Sequence, residues 1–237
     1  MRRIAPRPAL PPDIQAWLDG KGADIAAAQD PKSAAERLYK LARGHANFEP
    51  VLDTLRSMSG LGWRCMYCSG SEGHQVEHWR PKSRFSLDTF TWVNLLWVCG
   101  QCNQAKGERF EEACPPLDPV REDIWKHCYI DEFGQLNPVW NTALDRLDPR
   151  GEATINLLEL NREALQEARH ARLQSLRKRA RHALTERENG TLSDTALVLE
   201  LLDWFTEPVQ PDVADYFLDG PGAQDTSEPF VDLLARL

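Results

Sequence analysis

Nowhere in the 237 residues is there an apolar run near the roughly 20 residues that span a bilayer. The longest, Leu95-Leu-Trp-Val-Cys99, is only strand-sized. The basic start, Met1-Arg-Arg-Ile-Ala-Pro-Arg-Pro8, has no apolar stretch behind it, so it does not read as a secretory signal. The expectation is a cytoplasmic chain in a reducing compartment, where cysteines serve as metal ligands or free thiols more often than as disulfide halves. An excess of positive charge is missing too, and the net charge of -8 argues against a general nucleic-acid coat protein. Asn189-Gly-Thr191 has the form of a glycosylation sequon, but in such a compartment it reads as a turn. No internal repeat stands out beyond two cysteine pairs.

The charge that is present is unevenly spread. Arg169 to Arg187 carries seven basic residues against one acid, whereas Glu188 to Leu237 carries eleven acids and one base, Arg236. A basic contact surface beside an acidic segment and a solvated helix beside a solvated tail fit that asymmetry equally well. Residues 1–30, with four prolines and three arginines in the first twelve positions, read as an extended arm. Apolar residues recur at helical steps between Pro31 and Ser59, and Ser59-Gly60 with Gly62 stop the pattern near residue 62. Residues 63–112 hold the paired cysteines. Residues 113–150 form a connecting segment, broken by Pro115, Pro116 and Pro119, with a short hairpin turning at Gly134.

Asp148-Pro-Arg-Gly151 marks a boundary, and residues 151–237 form a helical region with an acidic tail. In it, Asn161 is expected to cap a long helix that stops at Asn189-Gly190, and Ser193 to cap a second running to Phe205. Phe230 to Leu237 could add a short helix. The fold class is α+β and mostly helical.

Cys65-Met-Tyr-Cys68 and Cys99-Gly-Gln-Cys102 each place two thiolates on a tight turn, with Gly100 available for an unusual backbone angle. Two such turns bring four sulfurs to one Zn²⁺, and a site closed by four cysteines leaves no position for substrate, so its role is structural. Cys114 and Cys128 fall outside this spacing and read as buried thiols. Between and across the pairs lie Val76-Glu-His-Trp-Arg-Pro-Lys82 and Asn94-Leu-Leu-Trp-Val-Cys-Gly-Gln-Cys-Asn-Gln-Ala-Lys106. A carboxylate, an imidazole and an amide supply oxygen ligands for Mg²⁺ or Mn²⁺ and a group that titrates near neutrality, the parts a phosphodiester hydrolase needs. Taken singly, each residue has a plainer use. Glu77 could pair with Arg80 or Lys82, His78 could be a core histidine, and neighbours on a strand face opposite ways.

Together, C-x2-C, E-H-x-x-P-K and N-L-x3-C-x2-C-N-x2-K resemble the zinc-knuckle branch of the HNH (ββα-metal) endonucleases. The resemblance implies His78 as the general base, Glu77 and Asn103 as ligands of a catalytic divalent ion, and Asn94 as the residue that pins the loop. Cys65, Cys68, Cys99 and Cys102 would hold the structural zinc. It also implies strands near 76–80 and 95–98 and a helix from about Gln101. Lys106, with Arg80 and Lys82, would contact phosphates, as would Arg177, Lys178 and Arg181 of the basic helix. The basic arm and the Asn161-Arg-x-x-Leu165 opening of that helix are similar to the HNH subunits of Septu-type anti-phage systems. That likeness implies a nuclease acting on nucleic acid, DNA favoured over RNA, with an ABC/SMC-like ATPase as partner. Other readings are a non-catalytic zinc module that binds nucleic acid or protein, a stand-alone restriction or homing nuclease, and a toxin nuclease; residues 113–237 show no target-reading domain, and no delivery segment is evident.

Overall fold

A computed structural model describes residues 4, 6–60, 62–70, 73–206 and 211–218. The chain divides into two compact units between Glu122 and Asp123. That division comes soon after the Pro115-to-Pro119 break and ahead of the Asp148–Gly151 boundary expected from the sequence. Asp148 has a local task instead: its carboxylate accepts from the Arg150 and Gly151 amides and starts a helix.

The first unit begins with a short extended piece, but a helix, α1 (Pro12–Ala26), occupies much of the stretch expected to be an arm through residue 30. Pro11-Pro12 hides this start in the sequence, although proline at the first helical position costs no hydrogen bond. Ile14, Leu18 and Ile25 bury one face, and α1 packs on α2 (Pro31–Ala42), whose N-terminus is capped by Asp30 accepting from the Ser33 amide at 3.1 Å. The helical pattern from Pro31 to Ser59 is two helices, not one. A turn at Arg43–His45 separates α2 from α3 (Glu49–Met58), where Pro50 lacks the N–H a continuous helix would need. Trp17, Tyr39, Phe48 and Phe90 fill the space between these helices with mostly edge-on and tilted ring contacts.

Two strands follow, β1 (Gly73–His78) and β2 (Leu95–Cys99), paired antiparallel with Glu77 opposite Leu96 and His78 opposite Leu95. The ladder slips by one residue between Gly73 and Gln75. Only glycine fits at 73, since a Cβ there would stand 2.4 Å from the Trp63 carbonyl and 2.7 Å from the Trp97 indole. β2 is buried along its whole length and runs directly into α4 (Gly100–Lys106).

The second unit holds two further small antiparallel pairs. β3 (Cys128–Ile130) pairs with β4 (Leu136–Pro138) around a turn in which Gly134 has φ +78°, and β5 (Trp140–Asn141) pairs with β6 (Arg146–Leu147). Among the described residues, helices α5 (Pro149–Leu157), α6 (Glu163–Glu188), α7 (Asp194–Thr206) and α8 (Pro211–Leu218) complete it. Helix α6 stops at Asn189-Gly190 as expected, and Ser193 Oγ accepts from the Ala196 amide at the start of α7. Asn161 does not cap α6. Its side chain is committed to both the amide and the carbonyl of Leu136, tying the helix start to β4. The stretch from Phe230 to Leu237 lies outside the described residues. Among those described, no helix is long and apolar enough to cross a membrane.

Candidate active site and zinc knuckle

The four paired cysteines converge. Their sulfurs all lie within 4.8 Å of one another and all four residues are buried. The Cys68 and Cys99 sulfurs are 3.8 Å apart, the edge of a tetrahedron with metal–sulfur bonds of about 2.3 Å. The Gly70 amide points at Cys68 Sγ and the Cys102 amide at Cys99 Sγ, each at 3.4 Å, so backbone dipoles favour thiolates there. The donor set fits Zn²⁺. The positive backbone angle in the first turn falls on Ser69 (φ +60°), while Gly100 simply opens α4. The first turn is stitched to β2 by the Met66 amide donating to the Trp97 carbonyl at 2.9 Å. Cys128 is buried outside the cluster, and Cys114 is partly exposed.

Beside this knuckle, α2, α3, β1 and α4 enclose a cleft of about 460 Å³, lined by Glu77, His78, Lys82 and Asn103 among others. His78 is buried, and Nε2 lies 3.0 Å from the Thr89 carbonyl. A carbonyl can only accept, so Nε2 carries the proton and Nδ1 is left as the acceptor. Burial pulls the ring's pKa down to about 4, and the Thr89 hydrogen bond opposes that only in part. Tyr39 packs edge-on against the ring at 4.7 Å. The imidazole is therefore neutral at physiological pH, fixed in one tautomer and one orientation.

Glu77 is almost as deep, and its partner is neither Arg80 nor Lys82. Lys106 reaches it from α4 with Nζ 2.5 Å from Oε1 and also donates to the His78 carbonyl at 2.9 Å. Burial raises the Glu77 pKa and lowers that of Lys106, and the pairing opposes both shifts. Lys106 has no exposed side-chain surface. It cannot serve as the phosphate contact expected of it, nor is it a solvated helix residue. Asn103, one turn earlier on α4, donates from Nδ2 to Gln75 Oε1 at 2.5 Å, leaving its carbonyl oxygen for another partner.

Asn94 holds the connection between the strands. Its Oδ1 accepts from the Arg80 amide at 2.7 Å, and Nδ2 donates to the Arg80 and Asp88 carbonyls at 3.1 and 3.0 Å. Arg80 turns away from the cleft to pair with Asp88 at 2.7 Å over the Phe85 ring. Lys82 stays in the cleft, its ammonium 5.8 Å from the Tyr39 ring centre. Sequence reasoning missed Tyr39, Arg43 and Arg56, which form the opposite wall, and Gln75. Only Gln75 carried a local signal, two positions before Glu77 on the same strand. Residues 65–109 match the HNH endonuclease family. This segment is an HNH domain. The match begins at the first zinc-site cysteine and ends just past α4, so it includes Glu77, His78, Asn94 and Asn103 of this domain. A 103-residue stretch, 41% of this chain, is 28% identical to Septu protein PtuB of Bacillus thuringiensis. It covers 37% of that protein, so the chain spans well under half of that relative's length.

In the second unit, two residues of the expected basic surface are structural. Arg169 is fully buried, its Nε 2.8 Å from Asp212 of α8, and Arg172 is buried and donates to the Trp204 carbonyl. Lys178 and Arg181 are exposed and Arg177 is half-buried.

Proposed function

We propose that this chain is a divalent-metal-dependent endonuclease that cuts nucleic acid, DNA in preference to RNA, as the nuclease subunit of an anti-phage complex with an ABC/SMC-like ATPase. The observation that carries the nuclease part is His78: a buried neutral imidazole with Nε2 tied down and Nδ1 available, beside a carboxylate in a cation-walled cleft. Nδ1 accepts a proton from water as the water oxygen forms a bond to phosphorus and the bond from phosphorus to the leaving sugar oxygen breaks. Glu77 and the Asn103 carbonyl would hold Mg²⁺ or Mn²⁺, which when bound stabilises charge on the phosphate and on the leaving oxygen. Lys82, with Arg43 and Arg56 across the cleft, draws the phosphate chain in. The zinc site fixes the fold and takes no part in the reaction. Incubating the pure protein with plasmid, oligonucleotide DNA and total RNA, with and without Mg²⁺ or Mn²⁺, tests this. Binding without cleavage under every condition would leave a non-catalytic zinc module instead.

The ligand assignment is tested separately. Asn103 hydrogen-bonds only at the surface, so Asn103→Ala is expected to keep the fold while cleavage falls and the Mg²⁺ concentration for half-maximal rate rises at least several-fold. For Glu77 the alanine variant would strand a buried ammonium, a change that typically costs about 3–5 kcal/mol. Glu77→Gln is the better probe, and the same rise in metal requirement is expected. Wild-type rates at low Mg²⁺ in both variants would remove the two residues from the metal site.

Partnership with an ATPase is supported by the Septu resemblance and by the exposed cations Lys178 and Arg181 with Arg177 on α6. Co-purification from the native host tests it directly. Reversing all three to Glu is expected to release the ATPase and leave basal cleavage unchanged. If α6 meets nucleic acid instead, the reversal lowers the salt dependence of binding, where each contacted phosphate contributes about -0.9 to the log–log slope on duplex DNA.

A further inference from the structure

Among the described residues the cleft walls contain one carboxylate, Glu77, against Arg43, Arg56 and Lys82. Arg56 is offset by Glu49 and Asp53, at 2.7 and 2.9 Å. Arg43 and Lys82 stand over the Tyr39 ring, and among the described residues no other acid lines the cleft. Glu77 is itself spent on Lys106, and that pair has zero net charge whichever partner holds the proton. Among the described residues the one cluster of three or more acidic, histidine or cysteine side chains set for a metal is the four-cysteine site. A dication entering this cleft by itself meets a neutral pair, one amide oxygen and a surplus of positive charge.

We propose that Lys106 is a positioning residue that cancels the charge of Glu77, so that the catalytic ion and the nucleic acid bind as one cooperative event, each completing the site for the other. The inference rests on the nuclease reading above and concerns how its site is loaded. Mg²⁺ keeps most of its water and is held in protein sites by one or two carboxylates together with substrate phosphates. Here the carboxylate contribution is neutralised in advance, and the missing charge and oxygens are those of a phosphodiester. Lys106 holds Oε1 of Glu77 and the His78 carbonyl at once, which fixes the ligand and the base relative to each other before either cofactor or substrate arrives. Linkage then requires symmetry: whatever factor the nucleic acid adds to metal affinity, the metal adds to nucleic-acid affinity.

The test measures Mn²⁺ binding to the zinc-loaded full chain at pH 8 by electron paramagnetic resonance, with and without a short phosphorothioate DNA that resists cleavage, and DNA binding with and without Mn²⁺ by anisotropy. The expected result is a gain of at least tenfold in Mn²⁺ affinity when DNA is present and the same factor in the reverse titration. Lys106→Met is expected to bind Mn²⁺ at least tenfold more tightly without DNA and to lose most of the coupling, whereas Lys106→Arg retains it. A purely structural lysine would change the melting temperature and leave these ratios alone. Equal Mn²⁺ affinity with and without DNA in the wild type overturns the proposal, as does a folded, zinc-loaded Lys106→Met chain that binds Mn²⁺ no more tightly. If Lys106→Met does not fold, the wild-type coupling still decides. Absence of coupling in a protein that nonetheless cleaves nucleic acid sinks this inference alone; absence of any cleavage sinks the reading beneath it.

Discussion

His78→Ala is expected to reduce cleavage by about 10²- to 10⁴-fold, the usual loss when a general base is removed. The reason lies in what holds the ring. Thr89 fixes the protonated nitrogen and Tyr39 closes one side, and burial keeps the other nitrogen unprotonated. Among the described residues no other group in the cleft combines a free lone pair with that orientation. His74 also lines it but is exposed at the slipped end of β1. The substitution leaves the Thr89 carbonyl without its donor, at a cost of about 1–3 kcal/mol for a buried group. The zinc site and the packing of β2 are untouched, so far-ultraviolet circular dichroism and zinc content are expected to match the wild type. A rate within a few-fold of wild type in that folded protein removes His78 from the chemistry.

Cys65→Ser is expected to do something different in kind: abolish the soluble protein, or yield a chain without zinc and without a cooperative melting transition. Structural zinc contributes about 10–16 kcal/mol of apparent binding free energy in small domains, as large as the roughly 5–15 kcal/mol that stabilises a whole one. The first unit is expected to depend on it heavily, because among the described residues its sheet has two strands and such pairs are marginal alone. Metal analysis should return one zinc per wild-type chain, and X-ray absorption four sulfur neighbours. A zinc-free Cys65→Ser protein that melts at the wild-type temperature would show that the cluster is not a folding site.

The ββα-metal unit was legible because its signals are local. Cysteine spacing, the E-H pair and the Asn94-to-Lys106 string each sit within a few residues and define a turn, a strand end and a helix start. What escaped is what depends on residues meeting from far along the chain. Lys106 looked like a surface cation because nothing near it in sequence shows that Glu77, 29 positions earlier, lies beneath it. Arg169 looked like part of a basic face because Asp212 is 43 positions away. Tyr39 and Arg56 belong to helices whose sequence carries only packing periodicity, Arg43 to the turn that follows α2, and all three become cleft residues only through the docking of α2 and α3 on the strands. Helix α1 was obscured by the proline pair that in fact begins it.

Cys99 ends β2, accepts the Cys102 amide at the start of α4 and supplies a sulfur to the four-cysteine cluster, and Asn103 follows Cys102 directly. On the proposed ligand assignment a single turn of backbone belongs to both metal centres, with no spacer to absorb movement between them. An enzyme wired as proposed has no graded dimmer on its zinc: an oxidant or chelator that frees a sulfur is expected to move the Asn103 amide as well. Zinc occupancy and cutting competence are therefore expected to fall together, the fraction of molecules holding the ion counting the fraction able to act.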